Sequence, residues 1–479
     1  MTPKILLPFL LILISFSANA QKYGNTWYFG DKAGMHFNNC NPIPVTTSNI
    51  DGFEGCATYN DTSGQVLFYT NGEKVWNRLN NVMPNGQISS SGSTKSQTII
   101  IPFPGSDSLY YIITTCIQGQ PASVSEFHIV DMSLNNGNGD VSSKNNLLTT
   151  AVATEQVAAT YHANGTDIWL VLHEYLTNNF LVFHVTPAGI PAFPQYYPVG
   201  TGLLPCSSNM NARGQIKFSP DGSKLAISGN GVGNDILSNL LTLYDFDINT
   251  GVVSNPIDLP FSRGDFSLSF SPDNTKLYGA TWKAFNFTAS DYNILYQFDL
   301  SSGVPSTIIN SKVILDSIPI PQSFGDMKLG PDGRIYIARN NSDFLDVIRF
   351  PNVAGAGCTY VEYDFHLSGK TSTFGLNNYI EYRNYCDNTV AVNEVNGKVK
   401  PQLYPNPVNS LTHLKLNVVV ADATISISNS TGQLVKQLSQ LNGSELKIDC
   451  AGLIPGFYVM QLHEKGRLLT TEKLVVIGD

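Results

Sequence analysis

Apolar and polar residues alternate in short runs through most of the chain, and the alternation breaks repeatedly on Pro, Gly, Asp and Asn. The clearest runs are IKFSPDGSKLAISG at 216–229, LSFSPDNTKLYGAT at 268–281 and MKLGPDGRIYIARN at 327–340. Each predicts two antiparallel strands, because a two-residue period puts one face into a core. Pro presets φ in the connecting turn, and Gly or Asn accepts the positive φ that reverses the chain. Weaker copies begin at Cys56 (CATYNDTSGQVLFYTNG), Thr98 (TIIIPFPGSDSLYYIIT) and Val157 (VAATYHANGTDIWLVLHE). A further strand closing on a polar turn follows several hairpins, in EFHIVDMSLNNG, LTLYDFDINTG and ILYQFDLSSG.

Strand, turn, strand, loop, strand, turn is the outline of a four-stranded antiparallel blade. Innermost strands begin near Gly55, Gln97, Gln156, Gly214, Asp265, Asp326 and Gly375, 42 to 61 residues apart. A strand-built repeat of that length is the signature of a β-propeller, whose blades bury their faces against their neighbours. Seven blades is the best count, with six and eight as the alternatives. Two short strands before the first blade, NTWYFG and GMHFN, are expected to pair with the incomplete last blade and so remove two exposed edges. The chain as a whole reads as all-β: a propeller followed by a small C-terminal β-sandwich.

Composition adds constraints. With 479 residues the chain exceeds one ordinary compact core, so a repeat or several domains are required. The net charge of −9 falls before Pro401, because six basic and six acidic residues balance from there onward. Nucleic acid is therefore not an expected partner. The opening MTPKILLPFLLILISFSANA has a basic residue, an apolar stretch and Ala18-Asn19-Ala20, the pattern of a cleaved signal peptide over 1–20. No second apolar run is long enough to cross a bilayer, so no transmembrane segment is expected. Cysteines at 40, 56, 116, 206, 358, 386 and 450 show no CxxC pair. In an oxidising compartment Cys40 with Cys56, or Cys358 with Cys386, are pairings open to the chain, as are isolated buried thiols.

Residues just ahead of each inner strand should face the channel mouth, where a propeller presents its ligands. Glu54, Gln97, Glu155, Arg213, Asp265 and Asp326 occupy those positions, together with Lys95 and Arg263. They describe a polar, mixed-sign funnel for a sugar, peptide or metal-bridged ligand, or charges that neutralise one another around water. Asp245, Asp247, Asn249 and Gly251 imitate the start of a calcium loop, but the Gly is one place late and no acid closes the loop. No cofactor is expected, and a turn is the expected role there. His173-Glu174 lacks the second His of a metalloprotease motif, and no nucleophile elbow or phosphate loop is present. Trp76, Trp169 and Trp282 read as blade core, with sugar stacking as the alternative. The balance favours binding over catalysis; the alternative is an extracellular hydrolase, lyase or lactonase working at the mouth.

The FSPDG hairpins resemble those of WD-repeat-like and lactonase-type propellers, and WYFGDKAGMHF resembles the opening of surface propellers from gliding Bacteroidota. From Pro401 the pattern changes to shorter alternating strands. Tyr404-Pro405-Asn406-Pro407, Thr431-Gly432-Gln433, Gly456-Phe457-Tyr458 and Lys473-Leu474-Val475-Val476 resemble the type A sorting domain of the type IX (Por) secretion system. That resemblance implies export through the periplasm, contact with the secretion machinery through this domain, and release or attachment at the outer-membrane surface. The expected organisation is a signal peptide over 1–20, a propeller over 21–385, a linker over 386–400 and a sorting domain over 401–479.

Overall fold

The computed structural model describes residues 24–38, 40–88, 97–115, 124–201, 213–229, 240–260, 265–282, 291–381, 401–429, 434–464 and 467–477. They divide into two compact units, 1–386 and 387–479.

The first unit is a succession of antiparallel sheets. A three-stranded sheet (Thr26–Phe29, Ala33–Asn38, Asn41–Pro44) comes first. Six four-stranded sheets follow over 57–87, 98–149, 153–198, 216–259, 265–319 and 324–366, each pairing its strands in chain order. The first strand of one sheet packs against the first strand of the next, from Ala57–Asn60 through to Phe324–Leu329, as the blades of a propeller do. One short α-helix, Pro305–Asn310, and two single 3-10 turns, Asn135–Gly137 and Gly355–Cys358, interrupt the strands among the described residues.

The hairpins form where the alternation predicts them, for a local reason. Asp221 Oδ1 accepts hydrogen bonds from Ser223 N at 3.0 Å and Ser223 Oγ at 2.8 Å. Asp273 does the same for Thr275 at 3.0 and 2.8 Å, and Asp61 for Ser63 at 2.9 and 2.6 Å. Such Asp side chains close the turn before any distant contact forms. Asn274, at φ 64, takes the place that Gly222 holds at φ 74.

Closure differs from the expected pairing in detail. Asp31 N donates to Thr371 O at 2.9 Å, and Phe374 and Gly375 N both donate to Phe53 O at 3.0 Å. Asn377 bridges Cys56 in parallel register. The segment around Gly375 therefore runs between the Phe324–Leu329 strand and the Ala57–Asn60 strand. Trp27, fully buried, sits edge-on to Phe37 and Tyr336, tying the N-terminal sheet to the 324–366 sheet. The third N-terminal strand, Asn41–Pro44, escaped the sequence reading because its two prolines disguise the alternation.

The cysteine pairing open to Cys40 and Cys56 does not occur: neither is in a disulfide, nor are Cys358 and Cys450. Cys386 lies outside the described residues. Burial first, with the charges of Asp326 and Asp51 adding to it and a backbone hydrogen bond at Gly30 opposing, pushes the Cys56 thiol up to about 12.

In the second unit the segments LTHLKLN and TISISN are parts of one long strand, Leu411–Asn429, paired with Leu434–Asp449 through several register shifts. Bulges of this kind turn a strand without ending it. Gln402–Tyr404, Gly456–Glu464 and Arg467–Val476 complete a five-stranded sheet around Leu414, Ile425, Ile448, Met460 and Leu474.

Candidate functional site at the channel mouth

The inner strands start irregularly, and the irregularities place the acids. Ladder register shifts between Ala153 and Val157, Asp265 and Ser267, and Phe324 and Met327. Glu155, Asp265 and Asp326 lie at those three breaks. A bulge re-aims side chains that a regular strand would send into the sheet faces. Glu54 is set differently: a Cβ on Gly375 would collide with the Glu54 backbone, so only glycine allows the two segments to lie together.

Glu54, Gln97, Glu155 and Asp326 line one open cavity, with Lys217 and Phe374 on its wall. Arg213 stands beside it, its guanidinium 5.8 Å from the centre of the Trp282 ring. The Asp265 side chain, Lys95 and Arg263 lie outside the described residues. Burial, and then the charge of Glu155, push the Glu54 carboxyl up to about 8, with Arg213 opposing. A carboxyl that is buried beside a second negative charge resists ionising.

Asp326 has a second duty. Its Oδ1 accepts from Lys217 Nζ at 2.8 Å and Gln215 Nε2 at 2.5 Å, and Lys217 also donates to Met327 O. Deeper in, Lys328 Nζ lies 3.0 Å from Glu381 Oε1, both side chains buried. Burial lowers the Lys328 pKa, against the charge of Glu381. A second, smaller cavity is lined by Lys328, Glu381 and Tyr379 and shares Ile216, Lys217 and Asn378 with the mouth. Lys217 and Lys328 were missed as channel residues, although a signal existed: they occupy the same place in IKFSPDG and MKLGPDG, flanked by apolar residues.

Evenly spaced glutamines join the inner strands. Gln97 Oε1 accepts from Val157 N at 3.5 Å, Gln215 Oε1 from Leu268 N at 3.1 Å, and Gln156 Nε2 donates to Ser228 O at 2.5 Å. Asn377 Oδ1 does the same work for Thr58 N at 2.5 Å. Gln97 Nε2 also donates to Gly214 O at 2.9 Å, so this candidate residue both lines the mouth and holds it.

Other sequence candidates resolve into structure. Asp247 Oδ1 accepts from Asn249 N at 2.9 Å, its Oδ2 from Thr250 Oγ1 at 2.9 Å, and Asp245 pairs with Lys224. These are the bonds of a turn. Among the described residues no cluster of His, Cys, Asp and Glu has metal-binding geometry. His173 is buried on a strand, its pKa pushed down to about 4 by that burial. Trp76 and Trp169 are core. Trp282 is half-buried and stacks edge-on to Phe374 at 5.1 Å, and Phe374 in turn meets the exposed Phe53 at 5.2 Å.

In the second unit, Asn406 Nδ2 donates to Lys473 O at 2.6 Å and Asn406 Oδ1 accepts from Val475 N at 2.8 Å. Val408 N donates to Val475 O at 2.8 Å, so the stretch from Pro405 to Pro407 is stitched to the last strand. Tyr404 stacks on His413 at 5.9 Å and its hydroxyl reaches Glu445 at 3.3 Å. Tyr458 is buried and donates to Ile454 O at 2.6 Å. Lys473 covers the Phe457 ring at 4.3 Å. A Cβ on Gly456 would meet only ordinary contacts, and Gly432 lies outside the described residues.

No curated protein matches the chain. Among solved structures it is similar to a putative 6-phosphogluconolactonase from Bacteroides fragilis, at 12% identity over 74% of this chain and 98% of that one, TM-score 0.43. A functionally unknown protein from Desulfotomaculum acetoxidans matches at 13%, 74%, 98% and 0.42. Virginiamycin B lyase from Staphylococcus aureus matches at 12%, 63%, 82% and 0.33. None of these likenesses transfers an activity. No helix of the described residues is long and apolar enough to cross a membrane. Residues 402–477 match the family model of the secretion system C-terminal sorting domain, which marks the protein for secretion or export to the cell surface and implies contact with the type IX machinery.

Proposed function

We propose that the protein is an exported seven-bladed propeller that binds an extracellular ligand, a glycan or a peptide, at its channel mouth. The observation carrying this reading is convergence: Glu54, Gln97, Glu155 and Asp326 come from four different sheets or their entries and line one cavity beside an aromatic rim. Few precisely placed polar groups in a concave, partly apolar site are the usual form of a ligand pocket. The N-terminal sheet, completed by the Gly375 segment, serves as the seventh blade. Cleavage ahead of Gln21 yields the mature chain, and the sorting domain is removed once it has been read.

One observation favours a second reading. Glu54 and Glu155 line the same cavity, and two carboxyl groups held in one site are what an extracellular hydrolase or lyase uses for general acid and base. A glycan and peptide array with the mature protein, run with and without chelator and followed by mass analysis of the bound ligand, separates the readings. Retained, unaltered ligand indifferent to chelator is the outcome of a binder; cleaved ligand is the outcome of an enzyme. Absence of any ligand dependent on the mouth residues contradicts both.

A further inference from the structure

The mouth is unequal in charge and in texture. Of its acids, Asp326 is committed to Lys217, while the Glu54 carboxylate has neither hydrogen bond nor ion pair among the described residues. Arg213 is turned over the Trp282 ring. Phe374 lines the cavity and continues through Trp282 and the exposed Phe53 into an aromatic edge that already holds one cation. Carboxylates joined to aromatic faces are the chemistry that recognises an ammonium group. An independent feature lies further along. Glu381 is 8% exposed and its carboxylate meets Lys328 Nζ at 3.0 Å, a buried ion pair on the wall of a second cavity. Its cavity adjoins the mouth through Lys217.

We propose that the channel binds a primary alkylammonium group, its charge between Glu54 and Glu155 and its stem against Phe374. This deepens, and rests on, the reading of the mouth as the ligand site. The ammonium takes the place of the proton that Glu54 otherwise carries, so binding releases that proton to solvent. Glu155, Asp326, Arg213, Lys217 and the Cys56 thiol are the other titratable groups facing the exchange, and burial with the charge of Glu155 pushes the Glu54 carboxyl up to about 8.

The test is calorimetry on the mature full chain with n-pentylamine, cadaverine and a blocked lysine, against n-pentanol and the Nε-acetylated lysine. The three amines should bind and the two uncharged controls should not. Between pH 6 and 7 the dissociation constant should fall about tenfold, as exchange of one proton requires, and Glu54→Gln should remove that slope. Lysine binding without cadaverine binding assigns the group to a peptide; the converse assigns it to a free amine. The proposal is overturned if pentanol binds as well as pentylamine, if no amine binds, or if wild type shows no pH slope, and these arms need no variant to fold. Loss of array ligands in Gln97→Leu without any amine binding removes the ammonium class alone. Array ligands indifferent to Gln97→Leu remove the mouth as the site.

Discussion

Glu54 keeps its proton into the weakly alkaline range because burial and Glu155 both oppose its charge. Its folded pKa lies above the unfolded one, so between the ordinary carboxylate range and about 8 the folded state binds more protons, and stability declines as pH rises through that window. Glu54→Gln is expected to flatten the decline, read as urea midpoints at pH 5 and pH 9; an equal drop in wild type and variant contradicts it. Asp326 shows where the sequence reading stopped short. An acid ahead of an inner strand looks like a ligand group, yet its partner Lys217 sits far away in the chain and reads as an ordinary strand lysine. Asp326→Ala leaves a buried ammonium unpaired, and a loss of about 3–5 kcal/mol in chemical unfolding is expected. The Arg339 site follows the same logic: its Nε meets Asp346 at 2.6 Å, and Tyr360 shares that carboxylate at 2.7 Å. Nothing local in YIARN announces it.

Among the elements, the hairpins were legible because their turns close on bonds two residues apart, as Asp221 and Asp273 do. The bulges at Glu155 and Asp326 and the glutamine ties were not, since each depends on which strand lies alongside. Gly375 belongs to this class: it looked like a strand glycine and is a point of contact with the Glu54 backbone. Gly375→Ala should shift that segment, lower the melting temperature and weaken array-ligand binding together; a normal melting curve and unchanged binding count against the close approach. In the tail, one long bulged strand was read as two, because the alternation lapses around Val418 to Ala421, where the ladder shifts register at Val420 before it resumes at Ala423.

For the molecule as a whole, the repeat period disclosed a succession of sheets, and the sorting motif disclosed the destination of the chain. The ligand was not legible, since the channel collects residues from sheets far apart in sequence. Closure gives a prediction at this scale. Removing residues 24–44 takes away Trp27 and Phe37, both fully buried against Tyr336, and should lower the melting temperature sharply; no change would mean that the ring holds without its first sheet. Deleting 401–479 should leave the protein in the periplasm, read by cell fractionation, while secretion of the truncated form would show a second export signal. The central claim is that the polar mouth is the ligand site. Its most direct measurement is the dissociation constant of an array-identified ligand for wild type and for Glu155→Gln at matched melting temperature. A loss of tenfold or more, about 1.4 kcal/mol, is the predicted result; equal affinities would contradict the account.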